Sequence, residues 1–375
     1  MCIRDSLTTD ELKEKLLPKY QAAIDANVQT IMASYNSWNG VKCHGSKELL
    51  TDILKVEMGF EGFVISDWQG IDEIPGNYKS DIITSINAGV DMVMVSGQGQ
   101  PYKKFMRLLK ENVEEGSISM ERIDDAVSRI LKVKLRNGLF TNPIVQNDNL
   151  QVIGSDDHRN IGRQAVRESV VVLKNENLIP ISKESKSIVV AGRGADNLGM
   201  QCGGWTINWQ GGQGDITIGT TILDGIKASV STETKVIHSK DGTDLGNVSG
   251  DLAIVVIGED PYTEMEGDSD KLFLSEKDKK SIEEVKKMGI PYVVVLITGR
   301  PLIVNETIDD SDAFLVAWLP GTEGGGVADI LFGKENLTGK LSFSWPKSME
   351  DIPCNYDNDC DALFPLGFGL TYSKK

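Results

Sequence analysis

Continuous apolar runs separated by helical patterns fill the second half of the chain, and they constrain its fold more than any other feature. Helical patterns cover 157–168, 221–229, 275–288 and 324–332. The apolar runs are SVVVLKN (169–175), SIVVAG (187–192), KVIHS (235–239), LAIVVIG (252–258), YVVVLIT (292–298) and AFLVAWL (313–319). Strands that are apolar along their whole length are buried on both faces. We therefore predict an α/β domain over 157–375, with helices covering both faces of its sheet.

The first part of the chain also alternates helix and strand, but its strands end on polar residues. Thr8 and Glu11 form a possible capping box before a helix that runs to about Ala26. Further helical patterns lie near 46–57, before Ala88, and over 101–115 and 119–136. The strand patterns are TIMASYN (30–36), which reads as a buried strand, GFVISDW (62–68) and DMVMVS (91–96). Polar strand ends are typical of a (β/α) barrel, whose site lies at the C-terminal ends of the strands.

The length of this first part is too short for a whole barrel. A (β/α)8 barrel needs eight strands and about 250 residues, whereas three strand patterns precede the next domain. Either the sheet is small and open, or the N-terminal half of a barrel is absent. We place the barrel-like portion at 1–140, a linker at 141–156 and the second domain at 157–375.

Composition and charge exclude several function classes. The net charge of −16 argues against nucleic acid or an anionic membrane as the main partner, because both attract basic surfaces. No apolar run approaches the roughly 20 residues that span a bilayer, and the N-terminal stretch has no apolar signal-peptide core. The three histidines lack ligand spacing, so a zinc site or a Ser-His-Asp triad is disfavoured. Cys354 and Cys360 are close enough to pair in an oxidising compartment; two free thiols are the alternative.

Three segments carry candidate chemistry. Asp67 follows a strand and precedes Trp68, so it is either a nucleophile or sugar-binding group, or a helix N-cap. The acidic segment GEDPYTEMEGDSDK (258–271) supplies a general acid, holds a cation, or is simply a solvated loop. The glycine-rich segment CGGWTINWQGGQGD (202–215) has two tryptophans. They are either a stacking platform for sugar rings or a plug at the domain interface. GRGADN (192–197) matches no phosphate-loop fingerprint and reads as a turn after a strand.

These pieces occur together and in order in one known family. The segments that carry the likeness are IMASYNSWNG (31–40), GFEGFVISDWQGI (59–71), NAGVDMVMV (87–95), RIDDAVSRILKVKLRNGLF (122–140), HRNIGRQAVRESVVVLKNENLIPI (158–181), AGRGADNLGMQCGGWTINWQG (191–211), VIGEDPYTEMEGDS (256–269), ITGRPLIV (297–304), WLPGTEGGGVADILFG (318–333) and LFPLGFGLTYS (363–373). From about Leu7 onward the chain resembles glycoside hydrolase family 3. Its segments are most similar in sequence to those of exo-acting β-glucan glucohydrolases and β-glucosidases. The resemblance implies the C-terminal part of a (β/α)8 TIM-type barrel followed by an α/β sandwich domain.

The resemblance also implies a role for each matching residue. The aspartate of the family's SDW motif, here Asp67, is the catalytic nucleophile. The acid/base of this branch matches Glu264 in PYTEMEGD, a choice over Glu259 and Glu266 that depends on the likeness alone. Trp68 and Trp209 match a pair that clamps the aglycone-side sugar, and Tyr35 matches a tyrosine beside the nucleophile.

These residue types suit a retaining glycosidase, which uses two carboxyl groups about 5–5.5 Å apart. One attacks the anomeric carbon; the other protonates the leaving oxygen and then takes a proton from water. Carboxyl groups on different domains imply a site between them. The resemblance implies a β-linked glucan or oligosaccharide as substrate and periplasmic or secreted localisation, and we expect no metal or organic cofactor.

The family's glucose-holding residues lie on earlier barrel strands that this chain lacks. They include a Lys-His pair, and no Lys-His dipeptide occurs here. We therefore read the chain as a fragment of a longer product, with MCIRDS outside the likeness, and expect it to lack useful activity alone. A non-catalytic carbohydrate-binding protein on the same scaffold is the alternative function. A nucleotide-binding protein is a third reading, which the lack of a phosphate-loop fingerprint disfavours. Oligomeric state is not predicted.

Overall fold

The computed structural model describes residues 7–144, 147–246, 248–354 and 360–372, with the side chains of 147–149 left out. The chain divides into two compact units, Met1–Asn147 and Asp148–Lys375. The division falls within the segment 141–156 that the sequence analysis treats as a linker. We refer to the two parts as unit 1 and unit 2.

Unit 1 consists of short strands and longer helices. Its helices are α1 (Thr9–Lys15), α2 (Leu17–Asp25), a helix wound in the wider π form (Glu48–Glu57), α3 (Tyr78–Ala88), α4 (Pro101–Glu114) and α5 (Met120–Arg136). Its strands are β1 (Thr30–Met32), β2 (Ser37–Trp38), β3 (Val41–Lys42) and β4 (Phe63–Ile65). Strands β1 and β4 pair in parallel, with Thr30 opposite Phe63. A parallel bridge from Ile65 to Met92 adds a third extended segment.

Several sequence predictions for unit 1 need correction. The capping box of Thr8 and Glu11 is confirmed. However, the helix that it begins ends at Lys15 and a second one starts at Leu17, with Pro18 in its first turn. Proline has no N–H and is tolerated only at such a start.

The predicted strands are also shorter than their sequence patterns. The buried strand expected over 30–36 is three residues long, and Met32 is 50% exposed. The strand expected over 91–96 contributes only the bridge at Met92. Within the described residues of unit 1 no closed barrel forms, because the parallel pairing extends no further than these three segments.

Unit 2 is built on one six-stranded mixed sheet. Its strands are β5 (Val171–Asn175), β6 (Ser187–Ala191), β7 (Lys235–Ser239), β8 (Leu252–Gly258), β9 (Tyr292–Ile297) and β10 (Ala313–Trp318). The order across the sheet is β5-β10-β9-β8-β6-β7, and only β5 runs antiparallel to its neighbour. A separate two-stranded sheet pairs β11 (Trp345–Pro346) with β12 (Ala362–Phe364). Every apolar run predicted as a strand in this unit is confirmed as one.

Helices cover both faces of this sheet, as the apolar strands predicted. They are α6 (Asp156–Ser169), α7 (Leu198–Cys202), α8 (Ile222–Ser229), α9 (Glu276–Lys286), α10 (Asn305–Asp310) and α11 (Gly325–Leu331). Two separate clusters of buried side chains fill the two faces, one around Ile254 and the other around Val255. Successive residues of β8 therefore enter opposite cores.

The direction in which the chain adds strands to the sheet reverses between β6 and β8. From β6 the chain steps outward to β7, and from β8 it steps the other way to β9 and β10. The loops after β6 and β8 thus leave the sheet side by side at its carboxyl edge. Ligands of open α/β sheets bind at such a reversal point.

Candidate active site

Asp67 lies just beyond the C-terminal end of β4 and is held by backbone groups. The Trp68 N–H donates to Asp67 Oδ1 (2.6 Å), so the carboxylate turns back over the following peptide. The Gly70 N–H donates to the Asp67 carbonyl (3.1 Å) and closes a tight turn. Gln69 occupies that turn with a φ of +58°, a conformation that is uncommon for residues other than glycine. The described helices do not start at Asp67, so the helix N-cap interpretation is wrong.

A second tether connects this turn to the next extended segment. The Ser66 hydroxyl donates to the Asp67 carbonyl (2.9 Å) and accepts the Met94 N–H (2.8 Å). The Ser66 N–H donates to the Met92 carbonyl (2.9 Å). Ser66 is buried. Its hydrogen bonds therefore hold the backbone at the end of β4 in one position.

His44 is a functional candidate that was not predicted from the sequence. Its side chain is buried, and its Nε2 accepts the Asp67 N–H at 2.9 Å. Burial lowers the pKa of His44, while the Asp67 carboxylate opposes that shift. The sequence offered no signal for this contact, since His44 and Asp67 lie in different loops.

Tyr35 and Trp68 lie close to the same turn. The Tyr35 ring meets the His44 ring edge-on, with 6.4 Å between centroids and 80° between planes. Burial, followed by the nearby Glu73 carboxylate, raises the pKa of Tyr35. Trp68 is 57% exposed. The structure thus gathers three predicted site residues, Tyr35, Asp67 and Trp68, around the end of β4.

Glu264 lies in unit 2 on the loop that follows β8. It begins a short 3₁₀ turn, Glu264–Gly267, and adopts a φ of +50°. Its side chain is exposed. Glutamate pays a conformational penalty in the left-handed region, and such strain clusters at functional sites.

Trp209 lies between α7 and α8, in the connection from β6 to β7. Hydrogen bonds that we call the Gln210–Thr263 clasp join this segment to the Glu264 loop. The Thr263 N–H donates to Gln210 Oε1 (2.8 Å), and Gln210 Nε2 donates to the Thr263 carbonyl (3.3 Å). The Thr263 hydroxyl donates to the Trp209 carbonyl (3.0 Å). These two segments belong to the connections that leave β6 and β8, the neighbouring strands at the reversal point.

Glu259 is the nearest competing carboxylate on this loop, and its oxygens are already engaged. Arg300 donates to Glu259 Oε1 through Nε (3.0 Å) and an Nη nitrogen (2.8 Å). Thr298 and Tyr262 donate to Oε2 at 2.7 and 3.1 Å. Burial, with Glu259 second, raises the pKa of Tyr262 to about 12. Glu259 therefore anchors the loop, which leaves Glu264 and Glu266 as its exposed glutamates.

The structure also describes the other candidates from the sequence: the two tryptophans, the GRGADN loop, a cation site and the cysteine pair. Trp205 and Trp209 are 68% and 45% exposed, so neither indole is buried in the core of unit 2. Arg193 of GRGADN forms ion pairs with Asp260 and Asp278. These ion pairs attach the GRGADN loop to two other segments of unit 2. Among the described residues, no group of three or more His, Cys, Asp or Glu side chains has the arrangement of a metal site. Cys354 and Cys360 are joined by a disulfide.

The two halves of the chain match two domains of one family. The model described as the glycosyl hydrolase family 3 C-terminal domain matches residues 170–372, and that of the family 3 N-terminal domain matches residues 3–133. This chain belongs to glycosyl hydrolase family 3. The membership predicted from the sequence is confirmed, although the match begins earlier than the position near Leu7 from which the likeness was traced.

The curated relatives described below are named either β-xylosidase or β-glucosidase. A β-xylosidase of Formosa agariphila is 32% identical over 96% of this chain and 56% of its own length. A lysosomal β-glucosidase of Dictyostelium discoideum is 31% identical over 96% of this chain and 48% of its own length. A periplasmic β-glucosidase of Salmonella typhimurium is 29% identical over 98% and 55%. The family 3 chain thus spans about half the length of the curated relatives it matches.

Solved structures of the family have the same fold over nearly all of this chain. The exo-1,3/1,4-β-glucanase of a Pseudoalteromonas species superposes with a TM-score of 0.89 and 40% identity, over 98% of this chain and 48% of that one. The β-glucosidase of Listeria innocua in complex with isofagomine gives 0.86 and 30%, over 98% and 55%. The family 3 chain therefore has an α/β fold with a barrel-like domain and a sheet domain. No described helix is both long and apolar enough to cross a membrane.

Proposed function

We propose that the whole protein hydrolyses terminal β-D-glucosyl residues of β-glucans or oligosaccharides by a retaining double displacement. Asp67 is the nucleophile and Glu264 the acid/base, while Trp68, Trp209 and Tyr35 contact the substrate. The observation that carries the proposal is the contrast between the carboxyl groups. Asp67 is oriented by the Trp68 N–H, Glu259 is neutralised by Arg300, and Glu264 remains exposed beside the clasp to Trp209.

The mechanism follows from the settings of these groups. The Asp67 carboxylate attacks the anomeric carbon and forms a covalent glycosyl intermediate. Because the Trp68 N–H binds Oδ1, the second oxygen, Oδ2, is the one available for attack. Glu264 gives its proton to the leaving oxygen and then takes one from the water that releases the sugar. Exposed indoles offer flat apolar faces to sugar rings, which suits Trp68 and Trp209 to flanking the scissile bond.

Fold and location are part of the same proposal. Residues 1–140 are the C-terminal portion of a (β/α)8 barrel and 157–375 an α/β sandwich domain; the parallel β1, β4 and Met92 segments support the first assignment. The disulfide supports an oxidising compartment such as the periplasm or the extracellular space. The Salmonella relative named as periplasmic supports the same location.

Trapping the intermediate tests the nucleophile. The whole protein, expressed from the complete reading frame, is incubated with a dinitrophenyl 2-deoxy-2-fluoro-β-D-glucoside, and its peptides are mapped. We expect the label on Asp67, no label in Asp67→Asn, and normal labelling in Asp72→Asn, a matched control on the same loop. A label on another carboxyl group would contradict the assignment, and inverted stereochemistry of the first product would contradict retention.

Leaving-group dependence tests the acid/base. Glu264→Gln should lower hydrolysis of an unactivated β-glucoside by roughly 10²–10⁴-fold. It should spare the first step with a dinitrophenyl glucoside, whose leaving group needs no proton, so that rapid release of dinitrophenol is followed by slow hydrolysis of the covalent intermediate. Glu266→Gln is the control on the same turn. Equal loss in both glutamine variants would contradict the choice of Glu264.

Substrate range and the carbohydrate-binding alternative need separate measurements. Nitrophenyl β-glucoside and β-xyloside distinguish the two names found among relatives. Calorimetric binding of a β-glucan oligosaccharide by a whole protein without turnover would favour the binding alternative. The 375-residue chain alone should show no useful turnover, because positioning supplies much of the rate. A rate near the enzymatic median of about 10 s⁻¹, abolished by Asp67→Asn, would contradict that expectation.

A further inference from the structure

His44 touches the backbone of the proposed nucleophile and has no place in the reaction described above. It lies in a 3₁₀ turn, Cys43–Gly45, that directly follows the β2–β3 hairpin. Its side chain is completely buried. Nε2 accepts the Asp67 N–H at 2.9 Å, so this imidazole joins the hairpin segment to the turn after β4.

The surroundings of the ring leave it little freedom to move. A Cβ atom added to Gly70 would lie 2.3 Å from Nε2 and 2.4 Å from Cε1 of His44. Gly70 therefore allows the ring to pass directly against the backbone of the Asp67 turn. The Tyr35 ring closes another side with its edge-on contact. Interiors packed this closely hold side chains in one rotamer.

The hydrogen bond also fixes the tautomer of the imidazole. Because Nε2 accepts, the proton of the neutral ring is on Nδ1. Nδ1 is buried and has no hydrogen-bond partner among the described residues. Burial lowers the pKa of His44, Asp67 opposes this shift, and Lys42 adds to it. The ring is thus kept neutral, with its single acceptor directed at Asp67.

Asp67 is consequently fixed on both sides of its Cα atom. Its N–H is bound to His44, its carbonyl accepts from Ser66 and Gly70, and its Oδ1 accepts from Trp68. We propose that His44 is a positioning residue for the nucleophile: its Nε2 sets the peptide plane before Asp67 and thereby the direction in which the carboxylate points. This inference rests on the proposed function.

Two amide variants separate the acceptor from the bulk of the ring. In His44→Gln the side-chain oxygen reaches the place of Nε2, whereas in His44→Asn it reaches only the place of Nδ1. Gly70→Ala tests the same contact from the other side, because it displaces the ring and leaves the acceptor intact. His238→Gln and His238→Asn are matched controls, since His238 is a second histidine whose pKa burial lowers.

Amide exchange in the 375-residue chain reads the geometry without any need for catalysis. Hydrogen exchange at the Asp67 amide should remain slow in His44→Gln and become fast in His44→Asn and Gly70→Ala. Both His238 variants should leave it unchanged. Exchange elsewhere in β4 reports whether each variant is folded. Equal protection of Asp67 in the Gln and Asn variants would overturn the inference.

Kinetics of the whole protein test the consequence for catalysis. We expect kcat and the rate of covalent trapping to fall roughly 100-fold in His44→Asn, with KM little changed and His44→Gln near wild type. Amide exchange that follows the expected order while kcat does not would overturn the positioning role. A wild-type protein that protects the Asp67 amide but never hydrolyses a β-glycoside would instead overturn the proposed function, and with it the catalytic meaning of His44.

Discussion

Units 1 and 2 bury their sheets in opposite ways. In unit 2 the residues of β8 and β9 are all buried, and the strands have partners on both sides. In unit 1 the first strand, β1, has one described partner, and two of its three residues are exposed. The proposed nucleophile follows β4, a three-residue strand with short neighbours, whereas the proposed acid/base follows β8, a seven-residue strand paired on both sides.

Both units nevertheless contain a buried carboxylate that forms ion pairs with several cations. In unit 1 Asp91 pairs with Lys55 and Arg122 and also accepts the Val64 N–H. In unit 2 Asp329 pairs with Arg163, Arg167 and Lys334. The comparison teaches that hydrophobic burial alone does not hold unit 1 together, because Asp91 ties its π-helix, β4 and α5 to one another.

The largest effect is expected from removing these two carboxylates. Asp91→Ala and Asp329→Ala should each cost about 3–5 kcal/mol, because each leaves its cations without their buried partner. Urea unfolding followed by unit-specific hydrogen exchange should show Asp91→Ala destabilising unit 1 and Asp329→Ala destabilising unit 2. If each variant lowered the stability of both units equally, the two would be one cooperative body and the comparison would fail.

Acid should weaken both units through one histidine in each, His44 and His238. Burial lowers the pKa of His44 in unit 1 and of His238 in unit 2 below the ordinary value of 6.5. The unfolded chain therefore takes up protons first as pH falls, so the stability is complete above about pH 6.5 and is lost below it. The slope is at most about 1.4 kcal/mol per pH unit for each histidine.

Substitutions at the two histidines test whether they cause this change of stability with pH. His44→Gln should flatten the pH dependence of unit 1 between about pH 7 and 5 and leave that of unit 2 unchanged; His238→Gln should do the reverse. Thermal unfolding across this range measures both. A slope in unit 1 that persists in His44→Gln would show that another group is responsible. Below about pH 4, Asp329 adds to the loss in unit 2: burial raises its pKa, but hydrogen bonds from its arginines outweigh this and lower it.

The smallest effect sharpens the comparison between the cores. Ile82→Val in unit 1 and Ile254→Val in unit 2 each remove one methyl group from a completely buried side chain. Each should cost about 0.5–1.5 kcal/mol. The loss should be nearer the upper limit for Ile254, because helix and sheet enclose it and the cavity cannot collapse. A larger loss for Ile82, measured by urea unfolding, would show unit 1 to be the more tightly packed.

The same contrast explains how far the sequence predicted the fold. In unit 2 the apolar runs predicted all six strands of the large sheet, because residues buried on both faces leave an unbroken signature. In unit 1 the run at 91–96 looked equally strand-like, yet a strand needs neighbours, and only Met92 forms a bridge. The β2–β3 hairpin was missed although its Asn39-Gly40 turn is a standard signal, with φ of +50° and +76°.

The candidate site was predictable only in part. Asp67, Trp68 and Tyr35 were predicted as site residues because they occur in segments that resemble the family, and the structure places them near one another. His44 was missed, because its burial depends on Gly70 and Tyr35 from other loops. The ion pair of Glu259 with Arg300 could not be predicted from the sequence either, because Arg300 lies on a different loop, the one after β9. Contacts between loops leave no periodic pattern, so only coordinates reveal them.

The Gln210–Thr263 clasp has a consequence for how such a protein changes over generations. The two residues exchange hydrogen bonds through both an amide side chain and a main-chain peptide. A substitution at Gln210 alone leaves the buried backbone N–H and carbonyl of Thr263 without these hydrogen-bond partners. A protein with this substitution is less stable until the neighbouring loop also changes. We expect the two loops to be inherited as a single block, and successful loop grafts between relatives to carry both.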